Sequence, residues 1–228
     1  MKHNQDYKNA GLAALKGSWE QSIVATFIVI VLSELLTVSA WGFSLLRFDD
    51  NQWSGPVFTS IFVFVILSYV LFLVYPVVVG FINVFNRLYY ESDRRVLGNL
   101  NRLSFREFSH SGMTMFLMSL VTSFFTLFLI VPGVIVSLSL FLTPYLLKDC
   151  PKLSAIDVLR LSNKMMKGHK MQLFKLQLSF IGWIVLNIFT LGIGTLWLVP
   201  YMMTTMAVFY QDVKAEYLKK EGQQGFAL

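Results

Sequence analysis

KMMKGHKMQLFKLQLSFIGWIVLNIFTLGIGTLWLVPYMMTTMAVFYQD, residues 164–212, decides the fold. A basic collar from Lys164 to Lys175 leads into an apolar run that ends at Phe189. Gly192-Ile193-Gly194 marks a turn, a second apolar run follows, and Phe209, Tyr210 and Asp212 form the exit. An apolar run of about 20 residues is the length that crosses a bilayer as a helix. Two such runs about a glycine turn predict a transmembrane hairpin, with spans at 171–190 and 195–211.

The connector before it, 149–175, carries Ser154 and Asp157 at the spacing of a capping box. As a helix it sets Asp157, Arg160, Lys164 and Lys167 on one face, and Ala155, Val158, Leu159, Ser162, Met165 and Met166 on the other. That predicts an amphipathic helix lying in the headgroup region. Arg160, Lys164, Lys167, His169 and Lys170 are the candidate contacts to anionic lipid headgroups.

From Met113 to Leu147 there is no charged residue. As one helix this stretch would be about 52 Å long, too much for one crossing of a core of about 30 Å. Pro132-Gly133 breaks it, so spans are expected at 113–131 and 134–148. An earlier basic connector, 86–112, holds Arg87, Arg94, Arg95, Arg102 and Arg106, with a second capping-box pair at Ser104 and Glu107. Ahead of it a long apolar stretch predicts a span at 57–85, with a kink at Pro76 absorbing its excess length. A polar loop, 43–56, separates that from a first span at 21–42. A cleaved signal peptide ending at Val38-Ser39-Ala40 is the other reading of the first run. Its length and Glu34 favour a span. Residues 213–228 form a polar tail.

The parts repeat. Gly17, Gly112 and Gly168 each stand where a polar helix gives way to a span, and Asp93, Asp149 and Asp212 each follow one. Three hairpins of roughly sixty residues are expected, an all-α membrane protein of six spans with interfacial helices between them. Basic residues orient it. Residues 1–20 hold 3 Lys/Arg, the connectors 5 and (with Lys148 at its edge) 7, the tail 3, and the 43–56 loop 1. With six crossings every basic segment falls on one side, and by the positive-inside rule that side is the cytoplasm. Both termini are expected there.

Composition agrees. Hydrophobic residues make up 55% of the chain and charged ones 14%, with a mean hydropathy of +0.60; soluble domains carry about 25% charged residues. The net charge of +6 is dispersed between apolar runs rather than gathered in a patch, which argues against nucleic acid. A single cysteine, Cys150, excludes an internal disulfide and a CxxC metal or redox pair. No metal or cofactor is expected. No nucleophile–base pair, carboxylate pair or phosphate loop stands out, so an enzyme is not expected.

Two polar residues inside spans are candidate sites. Glu34 is the acid within an apolar run, a place where a carboxylate is costly and often functional. A protonated packing contact is the plainer reading. Asn187, with Gln177 and Ser179, fits interhelical hydrogen bonding better than a solute path.

The pattern MKGHK–LF–L–LSFIGW–L––T–GIG–LWL–PY––T–A–FY, from Met166 to Tyr210, with Ala13-Ala14-Leu15-Lys16-Gly17-Ser18-Trp19 near the start, resembles a large bacterial integral-membrane family. It is known only as domain of unknown function 975. The resemblance implies a multi-spanning protein of the bacterial cytoplasmic membrane and brings no catalytic residues. A remoter likeness to membrane domains fused to glycerophosphodiester phosphodiesterases hints at lipid. The expected function is a non-enzymatic scaffold binding membrane lipid, a protein partner or a second copy. The alternative is a transporter or channel component using Glu34 and proline-kinked helices.

Overall fold

The structure, a computed structural model, describes residues 3–45, 74–92, 95–97, 108–128 and 130–221. The 46–56 part of the polar loop, the 57–73 part of the second expected span, Asp93, Ser104, Glu107 and the end of the tail lie outside the described residues. Among the described residues all regular structure is helical. The helices are α1 (Asn4–Leu15), α2 (Trp19–Leu45), α3 (Tyr75–Tyr90), α4 (Phe108–Phe128), α5 (Ile130–Leu140), α6 (Thr143–Asp149), α7 (Ala155–Met165), α8 (Lys170–Leu178), α9 (Ile181–Phe189) and α10 (Thr195–Glu221).

Helix α10 is the post around which the others stand, packed against α1, α2, α3, α7 and α9. Its seven residues from Thr204 to Tyr210 are all buried. Enclosed by protein, they need not be uniformly apolar. Thr204 and Thr205 return their hydroxyls to the carbonyls of Pro200 and Tyr201, one turn back, at 2.6 and 2.8 Å. Pro200 lies inside the helix without ending it.

Helix α1 runs antiparallel along this post. Tyr7 meets Phe209 and Asp212, while Gly11, one turn further on, meets Thr205. A Cβ on Gly11 would stand 2.7 Å from Thr205 Oγ1 and 3.0 Å from its backbone nitrogen, so only glycine allows this approach. The face that α1 buries is Tyr7, Lys8, Gly11 and Leu15, with Ala10 and Ala14 half-buried beside it. The chain then turns through Lys16–Ser18, where Gly17 has φ +83°, and α2 leaves at 98° to α1. Gly168 makes the equivalent turn between α7 and α8 with φ +88°. Gly112 does not: it is buried inside α4, so the three junctions expected to match share their backbone conformation at two.

One expected break moves, and two spans expected to be continuous are broken. Pro132 and Gly133 lie within α5 rather than in the turn expected there, and the chain has already reversed before Gly133, which stands against Thr126. Pro132 sits in the first turn of α5, where its missing N–H has no helical partner to lose. Gly133 lies against Thr126, so tightly that a Cβ would come within 2.2 Å of Oγ1. The 134–148 stretch bends at Phe141-Leu142, and Pro144 opens α6. The stretch from Lys170 to Phe189 likewise breaks at Ser179-Phe180.

Six helical spans were expected; the described residues contain three runs long and apolar enough to cross a membrane. They are His110–Leu127, Val131–Asp149 and Lys170–Phe189, with a fourth if the bent pair α1–α2 is one span. The shortfall has physical reasons. Much of the second span lies outside the described residues, and α10 carries Thr204, Thr205, Gln211 and Asp212, made tolerable by burial rather than by lipid.

Candidate functional site

The polar half of α10 gathers side chains from α1, α3 and α6. Tyr7 of α1 donates to Asp212 at 2.7 Å, and Gln172 of α8 donates to the Tyr7 hydroxyl at 3.2 Å. Gln211 donates to Asn86 of α3 at 2.7 Å. Tyr210 and Lys214 both donate to Asp149 at the end of α6, and the Tyr210 ring stacks on Tyr145 at 4.7 Å between centroids. Asn83 of α3 donates to the Pro144 carbonyl at 2.9 Å, tying α3 to the opening of α6. Sequence reading marked Asp149 and Asp212 as span exits; the structure makes them the acceptors that hold α6 and α1 to α10.

The basic candidates divide. Ser154 caps α7 through the Asp157 amide, and Arg160 pairs with Asp157 at 3.4 Å on the exposed side. Lys167 is exposed, Lys170 half-buried, and Lys164 is exposed with its ammonium 5.6 Å from the Tyr217 ring. The other face of α7, with Val158, Leu159, Ser162 and Met165 buried, rests on protein: α7 contacts α4, α5 and α6, and Ser162 donates to the Ser139 carbonyl at 3.0 Å. His169 departs from the headgroup set. It is 5% exposed, and its Nε2 lies 3.8 Å from Glu216. A hydrogen bond from Lys220 is the main influence holding Glu216 below the ordinary carboxylate value, with His169 adding to it and desolvation opposing.

Cys150 is buried beside this cluster, and burial, then the Asp149 charge, pushes its thiol up, partly offset by Lys214. That is the environment of an inert thiol, since the thiolate is the reactive form.

Asn187 closes a hairpin. Its amide donates to Thr195 at 2.6 Å, and Thr190 donates to its carbonyl groups while accepting from the Gly194 amide. Trp183 and Phe180 meet Tyr201 edge-to-face, so α9 returns antiparallel along α10. Glu34 stands on α2 with its side chain exposed.

Sequence reading missed one feature altogether. A groove of about 480 Å³ lies between α1, α9 and α10, lined among others by Leu12, Trp19, Trp183, Leu186, Trp197 and Tyr201. The Trp and Leu spacing on the last hairpin carried the signal, but only the fold brings Leu12 and Trp19 to it.

A family model described as protein of unknown function (DUF975) matches residues 52–217. No curated protein and no solved structure matches the chain.

Proposed function

The chain belongs to the DUF975 family of proteins of unknown function, and from that premise we propose that it is a six-span protein of the bacterial cytoplasmic membrane. It holds both termini on the cytoplasmic side and serves as a non-enzymatic scaffold that binds lipid or a protein partner. The observation that carries this is the outer surface of α4, α5, α9 and the turn after α9. Leu127 is 84% exposed, Phe189 81% and Leu191 93%, amid Phe124, Val131, Ile184 and Ile188, all exposed. A soluble monomer rarely shows a contiguous apolar surface beyond a few hundred Å². Lipid is the solvent that such a surface fits.

The positive-inside count supports the orientation, and Arg160, Lys164, Lys167 and Lys170 supply a cationic rim for anionic headgroups, each cation worth about 1 kcal/mol near an anionic surface. Support for a scaffold over an enzyme comes from Asp212, Gln211 and Tyr210 of α10, which are bonded to other helices rather than converging on an open site. Native mass spectrometry of the gently extracted protein tests it. Retained lipid or a stoichiometric partner is expected; a bare monomer under conditions that preserve lipid on other membrane proteins contradicts it.

The transporter reading has one observation in its favour, the exposed Glu34 on α2. Under it, Glu34→Gln abolishes a proton- or cation-coupled flux in proteoliposomes; under the scaffold reading, abundance and stability are unchanged by the same substitution.

A further inference from the structure

A cation stands one helical turn from the lining of the groove between α1, α9 and α10. Lys8 precedes Leu12 by one turn on the same face of α1, and Leu12 lines the groove. On the opposite wall Ser179 and Phe180 precede Trp183, which also lines it, by about one turn. Lys8 bridges those two positions. Its ammonium donates to the Ser179 carbonyl at 2.8 Å and sits 4.4 Å from the centre of the Phe180 ring. Phe180 in turn meets the groove residue Tyr201 at 5.2 Å.

Lys8 is 8% exposed, and among the described residues no carboxylate pairs with it. A carbonyl left open by the α8–α9 break accepts one of its N–H bonds, and two donors remain. A buried ammonium offset only by a carbonyl and a ring is costly to keep charged, and removing its charge deficit is what an anion does best. Burial also pushes its pKa below the ordinary lysine value.

We infer that the groove binds a single-chain anionic amphiphile, its acidic group on Lys8 and its hydrocarbon chain along Trp183, Leu186 and Trp197. The inference rests on the lipid-binding reading above and names the ligand class. Volume decides for a chain over a partner helix. A helix 10–12 Å across has a cross-section of roughly 95 Å², so a space of this size would hold about one turn of it. The groove's 480 Å³ lies instead within the range of small-molecule sites, about 300–1,000 Å³. Ile184, Val185 and Ile188 leave the rest of α9 apolar and exposed, so a ligand reaches the groove across an apolar surface. A fatty-acid carboxylate and a lysophospholipid phosphate present the same chemistry to Lys8.

Full-length protein in uncharged detergent, titrated with brominated chains that quench tryptophan on contact, tests the assignment. Trp19, Trp183 and Trp197 are the reporters. The probes are a dibrominated fatty acid, the matching lysophosphatidic acid and the uncharged monoacylglycerol. Saturable quenching by at least one acid is expected, with the monoacylglycerol roughly ten-fold weaker, a difference of about 1.4 kcal/mol. The stronger acid identifies the source. K8Q should erase the acid preference, K8R should keep it, and L12F, which narrows the groove and leaves Lys8, should weaken every chain. Equal quenching by acid and neutral chains, or an acid preference that survives K8Q, overturns the assignment. If K8Q does not fold, the wild-type comparison of acid and neutral chains decides, with L12F as the groove control. Charge-blind quenching that L12F reduces removes Lys8 from the account and leaves the lipid reading standing. No quenching by any chain, with lipid still retained on extraction, removes the groove as well.

Discussion

Tyr210 and Tyr7 each put a hydroxyl on a carboxylate, 61 and 205 residues away in sequence. Tyr210→Phe keeps the ring stacked on Tyr145 and removes one donor to Asp149, leaving Lys214 as its described donor. A hydrogen bond to a charged group contributes about 1.5–3 kcal/mol, and with Asp149 only half-buried and still paired to Lys214 the loss in thermal unfolding in detergent should be at or below the low end of that range, while Tyr217→Phe should show little. Lys8 supplies a pH test. Its folded pKa is lowered by burial, so the unfolded chain binds more protons and stability should rise with pH between the folded value and the ordinary lysine value of 10.5. That slope should vanish in K8Q on denaturant titration across alkaline pH. Much of this scale was hidden in the sequence. Asp149 and Asp212 stand out as acids at span exits, yet nothing local tells that their donors lie on distant elements. His169 looks like a headgroup ligand because it is polar among lysines, and only the fold sets Glu216 beside it.

Among the helices, small residues decide where backbones meet. Gly11 and Gly133 are glycine because a neighbour stands where a Cβ would go; Gly168 is glycine because its φ is +88°, with open space around it. The two causes predict different costs. Gly168→Ala should cost about 1–2 kcal/mol, the backbone penalty alone. Gly133→Ala must move α5 from Thr126, whose Cα would be 2.7 Å from the new methyl, and overpacking of this kind costs about 1–3 kcal/mol or more. Adding Thr126→Gly, which removes Oγ1 and Cβ, should recover part of the Gly133→Ala loss and none of the Gly168→Ala loss, measured as thermal midpoints of the pairs. Helix type was legible throughout from apolar runs and from Gly192–Gly194. Break positions were not: proline is tolerated in the first turn of a helix, so Pro144 opens α6 just after the bend at Phe141-Leu142, and Pro132 lies inside α5.

At the scale of the whole molecule, α4, α5 and α9 carry an exposed apolar surface, and the polar half of the post is hydrogen-bonded to α1, α3 and α6. Composition made the presence of helices apolar enough to cross a membrane legible, because it sums over the chain and needs no contact to be known. The number of crossings is harder to read, since the middle of α10, from Thr204 to Tyr210, is enclosed by its neighbours. Its buried threonines lower its hydropathy without telling whether it spans. The central claim is the six-crossing orientation, with the basic segments on the cytoplasmic side. A pair of reporter fusions active only outside the cytoplasmic membrane tests it most directly: one joined after Leu228, one inserted beside Asn51 in the polar loop. The six-span account predicts a silent reporter after Leu228 and an active one at Asn51, both at normal expression. An active reporter after Leu228, or a silent one at Asn51, contradicts it.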